Sequence, residues 1–139
     1  MCNNSMTVTY DDIVKARETQ SKVIRKTTLE FSETFSKICG SKIYLKNECE
    51  QKTGSFKIRG AYYKIKSLTD EEKSNGVVAA SAGNHSQGVA FASHIENIPC
   101  TIVMPKTASP AKVSATKGYG ANVVLEGSTY DESWAHAQK

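Results

Sequence analysis

The chain has 139 residues, 39% hydrophobic and 23% charged, with a net charge of +4; this balance suits a soluble globular protein of one domain, or parts of two. No Lys/Arg cluster interleaved with aromatics supplies a nucleic-acid footprint, and the apolar runs are too short to span a membrane. Met1-Cys2-Asn3-Asn4-Ser5 lacks the basic and apolar regions of a signal peptide, which makes the cytoplasm the expected location. Cys2, Cys39, Cys49 and Cys100 are widely spaced and read as free thiols; with His85, His94 and His136 they show no metal-ligand spacing, so no metal is expected.

Residues 1–8 read as a loose terminus. Thr9 is placed to cap a helix from about Tyr10 to Ser21, with Asp11 and Asp12 in the first turn and Ile13, Ala16 and Gln20 on the inner face. Thr27–Glu30 reads as extended, and a short helix near Glu33–Ile38 should stop at Gly40. Ile43-Tyr44-Leu45 reads as a strand. From Ser55, the expected cap, to about Ser67 the spacing is helical, with Ala61, Ile65 and Leu68 as the stripe. Thr69 and Glu72 form a capping box on a short helix that Asn75-Gly76 ends.

Beyond Gly76 the pattern becomes regular: Val77–Ala80, Thr101–Met104 and Asn122–Leu125 are strand-like, and each is followed by a helical stretch. These begin near Asn84, at Ser109-Pro110, and at Thr129, where Thr129 and Glu132 form another capping box. Three such units with short loops predict an α/β fold, a parallel sheet covered by helices on both faces, with ligands at the carboxyl ends of the strands. The composition shift near Gly76 divides the chain into residues 1–75 and 76–139, and the last helical pattern has no stop signal, so a segment of a longer chain is expected.

Two stretches carry chemistry. In Gln51-Lys52-Thr53-Gly54-Ser55-Phe56-Lys57-Ile58-Arg59-Gly60-Ala61, Lys57 falls in the first turn of a helix. The positive helix N-terminus disfavours an ammonium there, and partial burial would do the same, so a neutral, nucleophilic amine is favoured. Placement alone equally describes a surface lysine. In Ser81-Ala82-Gly83-Asn84-His85, a strand end meets a helix start, whose unpaired amides suit a carboxylate. Taken alone this is also a strand-to-helix turn capped by Asn84.

Together the two strings resemble the cofactor-lysine segment and substrate loop of the fold-type-II pyridoxal-phosphate enzymes, in the threonine dehydratase and serine racemase branch, and the similarity runs over most of the chain. The resemblance implies a tryptophan-synthase-β-like three-layer fold, incomplete at its C-terminus. Residues 1–75 would begin the large cofactor domain and 76–139 would form a small βαβαβα domain. Lys57 would form the Schiff base with pyridoxal 5'-phosphate and act as the base, Phe56 would pack near the cofactor, and Asn84 would bond its ring oxygen. Ser81, Ala82, Gly83, Asn84 and His85 would grip the carboxylate of an amino-acid substrate. The implied reaction is dehydration and deamination of L-threonine, and of L-serine, to a 2-oxo acid and ammonia. A serine racemase-like activity and a truncated, non-catalytic binding module are the alternatives.

Racemising relatives carry a serine where this chain has Ala82, and a methyl group exchanges no proton, so dehydration is favoured. Ile58 departs from the Lys-Asp-Arg of the sulfur-amino-acid synthases. The family's glycine-rich phosphate cup would come from sequence after residue 139, which leaves the displayed residues with weak cofactor binding and poor turnover. A homodimer or tetramer fits the family.

Overall fold

A computed structural model describes residues 7–139; most of the terminus read as loose lies outside them. Helix α1 (Tyr10–Gln20) opens on a complete capping box: Thr9 Oγ1 accepts from the Asp12 amide, and the Asp12 carboxylate accepts from the Thr9 amide at 2.8 Å. Ile13, expected on the inner face, is 59% exposed. Only Gln20 of this helix is buried, because nothing among the described residues covers the Ile13 side.

Strands β1 (Leu29–Phe31) and β2 (Tyr44–Lys46) pair antiparallel around α2 (Glu33–Cys39), which ends at Gly40 as expected. Every residue of both strands is exposed, so this small sheet is held by backbone bonds and by an edge-to-face contact between Phe31 and Tyr44. A 3-10 turn at Glu48–Glu50 then leads to the lysine segment.

Helix α3 (Lys57–Lys66) starts one residue later than the sequence suggests. Ser55 is buried and Phe56 takes the cap position without a side-chain bond. Its buried residues Ile58, Ala61, Tyr62 and Ile65 recur at helical spacing and form one stripe. Helix α4 (Asp70–Asn75) carries the expected Thr69–Glu72 box. At Gly76, φ is +81° and a Cβ would lie 2.7 Å from the Pro99 carbonyl oxygen, so the turn accepts only glycine.

Strands β3 (Val77–Ala80), β4 (Cys100–Met104) and β5 (Asn122–Leu125) form a parallel sheet in that order, with Val77 opposite Cys100 and Thr101 opposite Asn122. Helices α5 (Asn84–Ile95) and α6 (Pro110–Gly118) are the crossovers and pack on one another. Alternation along β4 sends Ile102 and Met104 into the core with α3 and α5. Val103 points the other way and is also buried; α7 (Tyr130–Ala137) returns to pack on β3 and β4.

The box at the start of α7 is altered. Thr129 accepts from the Glu132 amide, but the Glu132 carboxylate accepts from the Ser128 amide at 2.6 Å, one residue before the cap. No described helix is long and apolar enough to cross a membrane, and no group of described His, Cys, Asp and Glu residues could hold a metal ion.

Candidate functional site

Helix α3 packs along α5, and its first turn, which carries the lysine, reaches Gly88. A Cβ placed on Gly88 would lie 3.1 Å from the Ile58 nitrogen and 3.2 Å from the Lys57 carbonyl carbon. The first turn of α3 therefore abuts α5 one turn behind Asn84, and residues 84 and 88, four apart, share a helix face. His85 joins the same corner. Its side chain is open to solvent, yet surrounding protein, and secondarily the Lys57 charge, hold its imidazole below the ordinary histidine value.

Lys57 is the first residue of α3, as the turn chemistry implies, but its side chain is exposed rather than partly buried. Its Nζ lies over the ring of Phe56, 5.2 Å from the centroid, and Phe56 is itself exposed. Among the described residues, no packed wall covers either side chain on this face.

The turn is anchored from the other side by an ion pair that local patterning did not disclose. Arg59 donates to both Glu48 carboxylate oxygens at 2.8 and 2.7 Å, and Thr27 Oγ1 donates to the same carboxylate at 2.7 Å. Led by the Arg59 bonds, these contacts hold the Glu48 carboxyl at about 2 instead of 4.5. The Gln51 side chain bonds both the amide and the carbonyl of Arg25 at 2.9 Å, fixing the start of the lysine segment to the chain before β1.

The loop at 81–85 leaves β3 where the Ser81 amide donates to the Val103 carbonyl at 3.1 Å. Ser81, Ala82 and Gly83 are half-buried, while Asn84 and His85 are exposed. The first turn of α5 has no side-chain cap, so its outward amides are available to an anion. Ser86 Oγ donates back to the Gly83 carbonyl, and it sits 3.3 Å from the Thr116 hydroxyl of α6; both residues are fully buried. Lys112 of α6 also approaches, with its Nζ 3.6 Å from where a Gly83 Cβ would be. The sequence reading missed Lys112, the Glu48–Arg59 pair and Gly88. Only Gly88 had a local signal, a glycine inside a helix, which is costly unless something packs close.

The larger concavities lie elsewhere. One of about 690 Å³ is lined by Val8, Ile13, Arg17 and Tyr63, and one of about 440 Å³ by Arg17, Arg25, Lys26 and Lys46. Neither is lined by Lys57 or by the 81–85 loop.

The family model described as "Pyridoxal-phosphate dependent enzyme" matches residues 20–139. L-threonine ammonia-lyase of Thermotoga maritima is 52% identical over 130 residues, 94% of this chain and 32% of that protein. L-threonine dehydratase catabolic TdcB of Escherichia coli K12 is 48% identical over 128 residues, 92% of this chain and 39% of that one. Among solved structures, serine racemase from Dictyostelium discoideum superposes with a TM-score of 0.86 at 40% identity, over 94% of this chain and 43% of its own. Threonine deaminase isoform 2 from Solanum lycopersicum does so with a TM-score of 0.80 at 38% identity, over 94% and 37%. The chain thus spans about a third to two-fifths of the length of these curated relatives.

Proposed function

Since the chain belongs to the pyridoxal-phosphate-dependent enzyme family, we propose that the protein built on it dehydrates and deaminates L-threonine, and L-serine, to a 2-oxo acid and ammonia. The reading rests on one observation, the packing of the Lys57 turn against α5 immediately behind the 81–85 loop. Relatives about half identical to it that are named for threonine deamination favour this chemistry over others in the family.

The residues present fit the reactive end of pyridoxal phosphate. The chain presents an exposed amine and an uncapped helix N-terminus. Thr53, in the turn before the lysine, has a buried hydroxyl with no partner, which a polar ligand group would satisfy. The glycines form no clustered run of the kind that cradles a phosphate, and we infer that the phosphate is held by residues outside this segment.

When bound, the cofactor supplies a carbonyl for attachment and an electron sink for charge developing at the substrate Cα. In the proposed division of labour, Lys57 Nζ would hold the cofactor and, as a free amine, would take the proton from the substrate Cα. Phe56 flanks the cofactor and Asn84 donates its side-chain amide to the ring oxygen. Ser81 and the amides of residues 82–85 hold the substrate carboxylate, and His85, biased towards its neutral form, adds a hydrogen bond without a competing charge. Ala82 offers no proton to the opposite face of Cα, which weighs against racemisation even though serine racemases are among the similar structures.

The test is Lys57→Ala in the full-length protein, with 2-oxobutanoate release from L-threonine as the readout. A loss of roughly 100- to 10,000-fold is expected for removing the acting base. Release at the wild-type rate would overturn the assignment.

A further inference from the structure

Helix α5 carries the 81–85 loop at its start, packs along α3, and meets the lysine turn itself one helical turn later at Gly88. We propose that Gly88 is a positioning residue: its missing side chain sets the separation between Lys57 and the carboxylate-holding loop. This rests on reading Lys57 as the reacting amine.

The contact is with backbone. A Cβ on Gly88 would lie 3.1 Å from Ile58 N, 3.2 Å from Lys57 C and 3.3 Å from Ile58 Cα. None of these is the end of a flexible side chain that could swing aside. The peptide is also held on its other flanks, since Ile58 is fully buried in the core and Arg59 is bonded twice to Glu48. A methyl at residue 88 therefore moves the first turn of α3 as a unit, by a few tenths of an ångström, while the 81–85 loop stays with α5.

Glycine inside a helix is less favourable than alanine, so the close approach is what accounts for it here. Gly60, in the interior of α3, is the internal contrast, because a Cβ there meets nothing within 4 Å.

The experiment compares Gly88→Ala, Gly60→Ala and Lys57→Ala in the full-length protein with bound pyridoxal phosphate. For Gly88→Ala, KM for L-threonine should stay near wild type, because the loop that holds the carboxylate is unmoved. Its kcat should fall roughly three- to tenfold, scaled from the about 100-fold loss that a 1 Å misplacement causes. The deuterium isotope effect on kcat with Cα-deuterated threonine should rise as proton transfer slows. Gly60→Ala should change neither.

The methyl also strains the fold, so the far-UV spectrum and melting temperature of each variant are measured alongside. The isotope effect is a ratio taken on the active molecules, so an unfolded fraction leaves it unchanged. Wild-type kcat and isotope effect in Gly88→Ala, with Lys57→Ala inactive, would overturn the positioning role alone. An active Lys57→Ala would overturn the reading beneath it.

Discussion

The described residues pack in two different ways. Helix α3 and the stretch from β3 to β5 share one core, in which Ala61, Tyr62 and Ile65 meet Val89, Ala92, Ile102 and Met104. The part before α3 has no comparable interior: Leu29, Phe31, Phe35, Ile38 and Tyr44 are all exposed, Ile38 to 74%. What holds that part is polar, namely the Gln51–Arg25 bonds, the Glu50 carboxylate on Thr28, and Glu48 between Thr27 and Arg59. Lys57 stands at the seam between the two. Its helix is seated in the core by Ile58 and tied to the polar region by Arg59, so the amine is placed by apolar packing on one side and by charge on the other.

The contrast is sharpest for core truncation. Ile102→Ala should lower unfolding stability by about 2–5 kcal/mol, the usual cost of emptying a filled core site. Phe31→Ala should cost no more than about 0.5 kcal/mol, because its ring is half open to solvent. Both are read by urea unfolding of the 139-residue chain, and equal losses would erase the distinction.

Glu48→Gln should cost about 1–3 kcal/mol, the range for hydrogen bonds to a charged group, and should change the pH dependence. The folded state holds this carboxyl at about 2 against 4.5 unperturbed. Its contribution is therefore complete above about 4.5 and is lost as the pH falls towards 2. Stability of the parent chain should decline through that window more steeply than that of the variant; parallel curves would show that the pair does not bind the two regions.

Thr69→Ala removes a cap that touches neither region's interior and should cost about 1 kcal/mol. A change in melting temperature as large as that of Ile102→Ala would mean that α4 is tied into the core in a way its exposed surface does not suggest.

Local chemistry made most of this fold legible before any coordinates. The cap at Thr9, the box at Thr69, the stops at Gly40 and Gly76, and the three apolar runs of the parallel sheet each depend on neighbours within a few residues. Features set by distant partners were not legible. Ser55 Oγ accepts from the Lys57 amide at 3.4 Å, yet Phe56 already has helical backbone angles and takes the cap position, so α3 begins at Lys57. Ile13 has the spacing of a buried residue without a partner to bury it. Arg59 reaches Glu48 across 11 positions, and Tyr62 donates to Glu96 across 34. Tyr62 was absent from the expected stripe, yet it is buried and its phenol is pushed up to about 12, by burial first and then by Glu96. At the site, the lysine turn and the loop at 81–85 were legible as motifs. Their meeting at Gly88, and the exposure of Lys57, required the fold.

The account stands or falls on which amine takes the cofactor. Full-length protein incubated with pyridoxal phosphate, reduced with borohydride and digested should carry the pyridoxyl group on Lys57 at close to one per chain. Modification concentrated on Lys52, Lys64 or Lys112 instead, with Lys57 unlabelled, would contradict it.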